Sequence, residues 1–157
     1  MTACGPYSEA TLMYEPVGKQ FIAAVASPGS VLDIVGKRYP ETLKLIERAG
    51  LTRLYNSDIS EYRITLFVSK SYLYGCGIPV ARAYQLCKAS TVPLRLNEDT
   101  MKSSRLFVLK TLSDGNDMTI KSCCNVTLAN GSKVLEYVKC TNGNVIVVDT
   151  NMWRDLA

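Results

Sequence analysis

Thr141-Asn142-Gly143-Asn144-Val145-Ile146-Val147-Val148-Asp149 is the stretch of this sequence that decides the fold. Four consecutive β-branched residues, Val145 to Val148, indicate a strand that is covered on both faces and is therefore central. Asn142-Gly143 supplies residues that tolerate positive φ, which predicts a tight hairpin at the entry to the strand. Asp149 ends the apolar run. A lone carboxylate at a strand end usually accepts hydrogen bonds, so we expect a structural role for Asp149 and not a reactive one.

The rest of the chain is consistent with one globular domain and an arm. A chain of 157 residues can bury a hydrophobic core without the help of disulfides or a structural metal. Residues 1–18 are broken by Pro6 and Pro16 and are predicted to form an extended N-terminal arm, with the domain proper at residues 19–157. The first apolar run, Phe21 to Ala26, is too short for a signal-peptide core or a bilayer span, so we expect no direct membrane insertion.

The composition excludes several kinds of chemistry. Histidine is absent, which removes it as a general base, a zinc ligand or a pH switch within the chain. The net charge is +4, but the basic residues alternate with apolar ones as they do on solvated strand faces, so no nucleic-acid groove is predicted. We therefore expect no catalytic residues, no cofactor, no metal and no small-molecule substrate.

The cysteines are expected to be free thiols. Six occur, Cys4, Cys76, Cys87, Cys123, Cys124 and Cys140. None forms a C-x-x-C pair, which disfavours a zinc ribbon or a thioredoxin-type site. Cys87, Cys123 and Cys140 have apolar neighbours in sequence and are predicted to be small core residues. With no visible secretion signal, we expect a reducing compartment, and the two N-x-[ST] sequences at Asn125 and Asn130 are interpreted as chance.

The order of elements is helices first and then an antiparallel meander, which is the α+β class. Ser30 is a predicted N-cap, and Pro40 begins the clearest helix, which ends at Gly50. Another helix is predicted from Pro79 to Cys87. Predicted strands are Ile64 to Val68, Arg105 to Leu112, Asp117 to Ser122, Asn125 to Leu128 and Lys133 to Lys139.

Five pieces of the chain carry a recognisable pattern, namely Leu45 to Leu51, Thr65 to Val68, Thr111-Leu112 with Asp117 to Ile120, Leu128 to Val134, and Thr141 to Asp149. In this order, and within roughly Val31 to Trp153, they resemble the fasciclin-type adhesion domain. The resemblance implies a β wedge or sandwich of two sheets with several helices along one side. It also implies a non-enzymatic domain that holds other proteins together. The motif residues it implies are structural, namely Thr65, Phe67, Asn142, Gly143 and Asp149.

The chain departs from the family at three places. Ser69 stands where proline is usual, Lys88-Ala89-Ser90 stands where the family has Tyr-His, and Tyr137 replaces an acidic residue. The integrin-binding determinants of the family therefore do not carry over to this chain.

Two functions remain open on the sequence. The first is a non-enzymatic structural module that holds neighbouring proteins together in an intracellular assembly, such as a minor capsid protein within a virus particle. The alternative is a secreted or cell-surface adhesion domain. Partner contacts are predicted at aromatic residues, which suit interfaces, namely Tyr7, Tyr14, Tyr72, Tyr74 and Tyr137.

A thiol redox protein or an enzyme built on Cys123-Cys124 is disfavoured by the sequence. Vicinal cysteines form only a strained disulfide ring, and adjacent strand residues are expected to point to opposite faces.

Overall fold

A computed structural model describes residues 26–56, 63–70, 78–103 and 106–150 of the chain. The helices are α1 (Val31–Arg38), α2 (Pro40–Ala49), α3 (Thr52–Asn56), α4 (Val80–Ala89) and α5 (Glu98–Ser103). The strands are β1 (Ile64–Ser69), β2 (Thr91–Val92), β3 (Leu106–Leu109), β4 (Met118–Cys123), β5 (Val126–Ala129), β6 (Ser132–Lys139) and β7 (Gly143–Val148). The predicted arm, residues 1–18, lies outside the described residues, as do Tyr7, Tyr14, Tyr72 and Tyr74.

The described strands form one continuous sheet, and not the two sheets that the resemblance implies, in the order β2-β1-β7-β6-β5-β4-β3. Strands β3 to β7 are the predicted antiparallel meander. Strand β7 also pairs with β1 in parallel along its whole length, from Ile64↔Gly143 to Ser69↔Val148. All six residues of β7 are buried, so the prediction of a central strand covered on both faces is confirmed.

The two faces of β1 and β7 contribute to two separate cores, because successive side chains of a strand point to opposite faces. Leu66, Val145 and Val147 belong to a core that also contains buried residues of α1, α2 and α4. Phe67 and Ile146 face the other way, into an inner core that contains buried residues of β4, β5 and α5. The sheet therefore folds over its inner core and carries helices along its outside, which confirms the α+β class.

Helices α1 and α2 have the capping residues that the sequence predicts, whereas α4 ends two residues later than predicted, at Ala89. The Ser30 hydroxyl caps α1 by accepting the Asp33 amide at 3.1 Å, and Pro40 opens α2 at its first turn. Gly50 closes α2 in the left-handed region, with φ of 72°, and its amide donates to carbonyls in the last turn. These local signals need no tertiary information, which explains why they could be read in advance.

The predicted hairpin between β6 and β7 is confirmed, but the positive φ angles predicted for its turn are wrong. It is closed by a hydrogen bond of 2.9 Å from the Cys140 amide to the Gly143 carbonyl. Neither Asn142 nor Gly143 has a positive φ. Asn142 instead forms hydrogen bonds through its side-chain amide, and Gly143 lets strand β1 approach closely.

Three further differences concern single elements. Strand β3 ends at Leu109, three residues early, because the Leu112 amide donates instead to the carbonyls of Lys88 and Thr91. Helix α5 was not predicted, although Asn97 gives the signal by accepting the Thr100 amide at 2.8 Å. Cys123 is exposed and is not a core residue, because it ends β4 on the outer face of the sheet.

Within the described ranges, no helix combines the length and the hydropathy needed to cross a bilayer.

Candidate interaction surface

Thr65 is an internal polar residue that fixes β1. It is fully buried, and its hydroxyl donates to the Leu94 carbonyl and accepts the Leu96 amide, both at 2.8 Å. One side chain thus satisfies two backbone groups of the segment that follows β2. The burial and these contacts leave the hydroxyl no room to act on a partner.

Phe67 and Asp149 also lie where a structural role requires. Phe67 is 3% exposed and packs in the inner core, so its predicted burial is confirmed. The Asp149 carboxylate accepts the Lys133 amide at 2.9 Å, and the Asp149 amide donates to the Lys133 carbonyl. The predicted hydrogen bonding of this carboxylate is confirmed, and it ties the end of β7 to the start of β6.

Asn142 joins two helices to the β6–β7 hairpin. Its side-chain oxygen accepts the Val31 amide at 2.8 Å, and its side-chain nitrogen donates to the Tyr55 carbonyl at 3.0 Å. Val31 is the first residue of α1 and Tyr55 lies in the last turn of α3, where backbone groups lack helical partners. A single amide therefore satisfies the start of one helix and the end of another.

Gly143 of β7 pairs with Ile64 of β1 and leaves no room for a side chain. A Cβ atom at this position would overlap the Ile64 carbonyl oxygen and would lie 3.0 Å from the Ile64 carbonyl carbon. Four of the five motif residues are thus buried, and the partly exposed Asp149 is engaged by the Lys133 backbone. A surface that binds another protein must be sought elsewhere.

Tyr137 is half-buried on β6. Its ring packs against the inner core, and burial raises the pKa of the Tyr137 phenol. Contact of this residue with a partner stays a prediction. The other four tyrosines proposed as partner contacts lie outside the described residues.

Large apolar side chains are exposed on the outer face of β3, β4 and β5. Leu106 and Val108 on β3 are each 59% exposed, although the four residues of this strand are all apolar. Strand β3 is the last strand of the sheet order, and its outward side chains are covered by no helix in the described part of the chain. The inward side chains of Phe107 and Leu109 pack on the inner core.

Cross-strand pairing extends this face into an ordered row. Leu106 pairs with Lys121, Lys121 with Leu128, and Leu128 with Lys133. The row thus alternates leucine and lysine across four strands, and both lysines are exposed. Long lysine side chains lay their methylene stems on apolar neighbours and keep the ammonium groups in water.

The charged side chains of this row are both lysines, although β6 also contains the exposed Glu136. Strands β3, β4 and β5 contain no aspartate or glutamate. None of their outward side chains is aromatic, so the face offers no ring on which a nucleic-acid base could stack. We refer below to Leu106, Val108, Lys121, Leu128 and Lys133 as the outer face.

The described residues hold no cluster suited to a metal ion, and the arginine of a basic depression among them is already engaged. No three His, Cys, Asp or Glu side chains converge among the described residues in a way that could hold a metal ion. A basic depression beside the β6–β7 hairpin contains Arg95, but its guanidinium already donates to the carbonyls of Cys140, Thr141 and Gly143 and to the Asn144 side chain, at 3.1–3.2 Å. Arg95 therefore acts as a clamp on the hairpin.

The architecture is that of a fasciclin-like α+β domain, a β wedge with helices along one side. A solved structure with this fold is the FAS1 domain pair from the insect cell adhesion molecule fasciclin I, with a TM-score of 0.61 and 16% sequence identity. The match covers 83% of this chain and 53% of that one, so this chain spans about half the length of the matched structure. No protein-family description and no curated protein matches the sequence. At this level of identity the likeness shows the fold alone.

Proposed function

We propose that this chain is a non-enzymatic interaction module that binds a neighbouring protein of a larger assembly through its outer face. The observation that carries the proposal is the leucine–lysine row, which presents uncovered aliphatic side chains between ammonium groups. Exposed apolar patches rimmed by polar groups mark protein interaction sites. The fold is shared with a cell adhesion molecule, which supports an interaction role.

The charge of the outer face indicates the chemistry of its partner. A partner that places carboxylates opposite Lys121 and Lys133 and an apolar surface opposite Leu106 and Val108 would complement it. Charge complementarity of this kind chiefly determines register and association rate, whereas buried aliphatic contacts contribute most of the affinity. The proposed occupant is therefore an acidic protein surface with an apolar centre.

Zero-length carbodiimide cross-linking of the assembly from its native source tests this proposal, because the reagent joins only amines and carboxylates in contact. We expect Lys121 and Lys133 to be cross-linked to carboxylates of one other protein. Lys44 is exposed on the helical side and paired with Glu41 of its own helix, so it is the internal control for which only a link within the chain is expected. Cross-links that involve only helical lysines would contradict the proposal.

The partner identified in this way allows the aliphatic residues to be tested directly. The double variant Leu106→Ser with Val108→Ser is expected to weaken its binding by about tenfold or more. Because both side chains are exposed, the free energy of unfolding should change by no more than about 1 kcal/mol. Val80→Ser on α4 is the matched control, since Val80 is 56% exposed on the opposite, helical side. Loss of binding in Val80→Ser but not in the double variant would show that the interface lies on the helical side.

We further propose that the module works in a reducing setting, inside a cell or within a virus particle, where it would serve as a minor structural protein. The alternative is a secreted or cell-surface adhesion domain. All four described cysteines are free, which supports the first setting.

Peptide mapping of unreduced protein from its native source distinguishes these settings. We expect no disulfide that joins distant cysteines among the six. A long-range disulfide, or a glycan on Asn125, would favour the secreted alternative. A bond between the neighbours Cys123 and Cys124 would leave the comparison unaffected, because it joins no distant peptides.

A further inference from the structure

The turn between β4 and β5 has an unusual residue at its first position. Cys123 pairs with Val126, so Cys124 and Asn125 form a two-residue hairpin loop. Their φ values are +55° and +68°, the combination that a type I′ turn requires. Asparagine adopts this region readily, but a cysteine there is uncommon. Conformational preference alone therefore does not explain Cys124.

The turn brings two thiols together. The Sγ atoms of Cys123 and Cys124 lie 3.2 Å apart, and both residues are exposed. The sequence argument against this pair was that adjacent strand residues point to opposite faces. That argument fails here because Cys124 belongs to the turn and not to the strand.

The other two described cysteines behave differently. Burial raises the pKa of the Cys87 thiol to about 12 and that of the Cys140 thiol to about 11. Thiol exchange needs a thiolate that a reagent can reach. Chemistry at the described cysteines is thereby restricted to Cys123 and Cys124.

The pair borders an open surface pocket of about 640 Å³ that contains two lysines, Lys102 and Lys121. Lys102 is paired with Glu98 on α5. The pocket is otherwise lined by hydroxyl, amide and aliphatic groups, namely Ser122, Asn125, Val126 and Thr127. Ammonium groups around a pocket raise the local concentration of anionic reactants. The site thus favours an anionic thiol reagent over a cationic one.

We propose that Cys123 and Cys124 are a reversible modification site that forms a vicinal disulfide by exchange with an anionic low-molecular-weight disulfide of the glutathione type. In the first step one cysteine loses its proton and attacks a sulfur of the small disulfide, which gives a mixed disulfide and releases one small thiol. In the second step the neighbouring cysteine, also deprotonated, attacks the protein sulfur of the mixed disulfide and expels the second small thiol. Two protein thiols are oxidised and one small disulfide is reduced to two thiols.

The covalent geometry makes this bond labile. Consecutive Cα atoms are about 3.8 Å apart, shorter than the ~4.4–6.8 Å usual across a disulfide. The strained bond is easily reduced, and strained, exposed disulfides are typically reversible ones. The site is therefore suited to repeated oxidation and reduction and not to permanent cross-linking.

The experiment treats the reduced full-length chain with oxidised glutathione and follows the products by intact-mass and peptide mass spectrometry. We expect the wild-type chain to lose two hydrogen atoms within one peptide that contains both cysteines, and reduced glutathione to restore the dithiol. Cys123→Ser and Cys124→Ser should each stop at a stable glutathione adduct on the remaining cysteine. A stable adduct on the wild-type chain, or a disulfide that resists reduced glutathione, would overturn the proposal.

A second pair of variants tests the role of the pocket. Lys121→Gln should slow the reaction with oxidised glutathione by about threefold or more, because one ammonium group of the pocket is lost. Lys133→Gln removes the same charge from the outer face away from the pocket and should leave the rate unchanged. Equal rates of reaction with oxidised glutathione in Lys121→Gln and Lys133→Gln would show that the Lys121 ammonium group takes no part in attracting the reagent. Neither outcome depends on the outer face being a docking site.

Discussion

Replacing Gly143 with alanine is expected to lower the free energy of unfolding by roughly 3 kcal/mol or more, at the upper end of the cost of overpacking. The added methyl group would overlap the backbone carbonyl of Ile64, the residue paired with Gly143 across the parallel β1–β7 ladder. A flexible side chain could move aside, but a carbonyl within a ladder cannot move without loss of its neighbours' hydrogen bonds. Urea unfolding followed by circular dichroism measures the effect.

Gly36→Ala is the matched control for this prediction. Gly36 lies within α1, and its added Cβ would meet only the end of the Leu43 side chain, at 3.4 Å. Alanine in a helix interior is favoured over glycine by roughly 0.5–1 kcal/mol, so this variant should be as stable as the wild type or more so. If Gly143→Ala unfolded at the same urea concentration as Gly36→Ala, the close approach of β1 and β7 would not be a packing constraint.

The sequence could predict β7 because its signal is local. A run of four β-branched residues is consistent with a strand covered on both faces, and all of β7 is buried. The parallel partner β1 could not be predicted in the same way, since Ile64 and Gly143 are far apart in the chain. The purpose of Gly143 depends on that partner, which is why the glycine was assigned to turn geometry.

Strand β3 shows what such a local signal leaves undetermined. Its four residues are as apolar as Val145 to Val148 of β7, yet Leu106 and Val108 are 59% exposed. The difference lies in position, because β7 has a strand on each side and helices over one face, whereas β3 is the last strand of the sheet. Composition cannot distinguish an apolar strand that is covered on both faces from one that has an exposed face. The sequence therefore predicts contacts at tyrosines, which suit interfaces, and gives no signal for the exposed aliphatic side chains of β3.

The cysteines illustrate how a turn changes the meaning of a sequence. Cys123 and Cys124 looked like adjacent strand residues with opposite directions, and Cys123 looked like a core residue. The signal that could have corrected this was Asn125, an asparagine between two short apolar runs. Asparagine at the second position of a two-residue loop implies positive φ for both loop residues, and hence a turn at Cys124.

Replacing Asn142 with leucine is the other change expected to have a large effect. Leucine is similar in size but has neither a donor nor an acceptor, so the Val31 amide and the Tyr55 carbonyl would be left buried without the amide group that now pairs with them. Each unsatisfied buried group costs about 1–3 kcal/mol, which gives an expected loss of roughly 2–5 kcal/mol in the free energy of unfolding. Urea unfolding measures the loss.

Two further variants separate hydrogen bonding from packing. Asn142→Asp keeps an acceptor for Val31 but has no donor for Tyr55 when ionised, and it buries a charge, so it should also be strongly destabilised. Asn97→Ala removes an exposed asparagine that caps α5 alone, and should lower the free energy of unfolding by about 1 kcal/mol. If Asn142→Leu cost no more than Asn97→Ala, the helix ends would be satisfied by water or by other groups. A large loss for the Asn142 variants but not for Asn97→Ala would show that the Asn142 side chain contributes strongly to the stability of this fold. That amide joins the hairpin before β7 to the start of α1 and the end of α3, and neither aspartate nor leucine can make both hydrogen bonds.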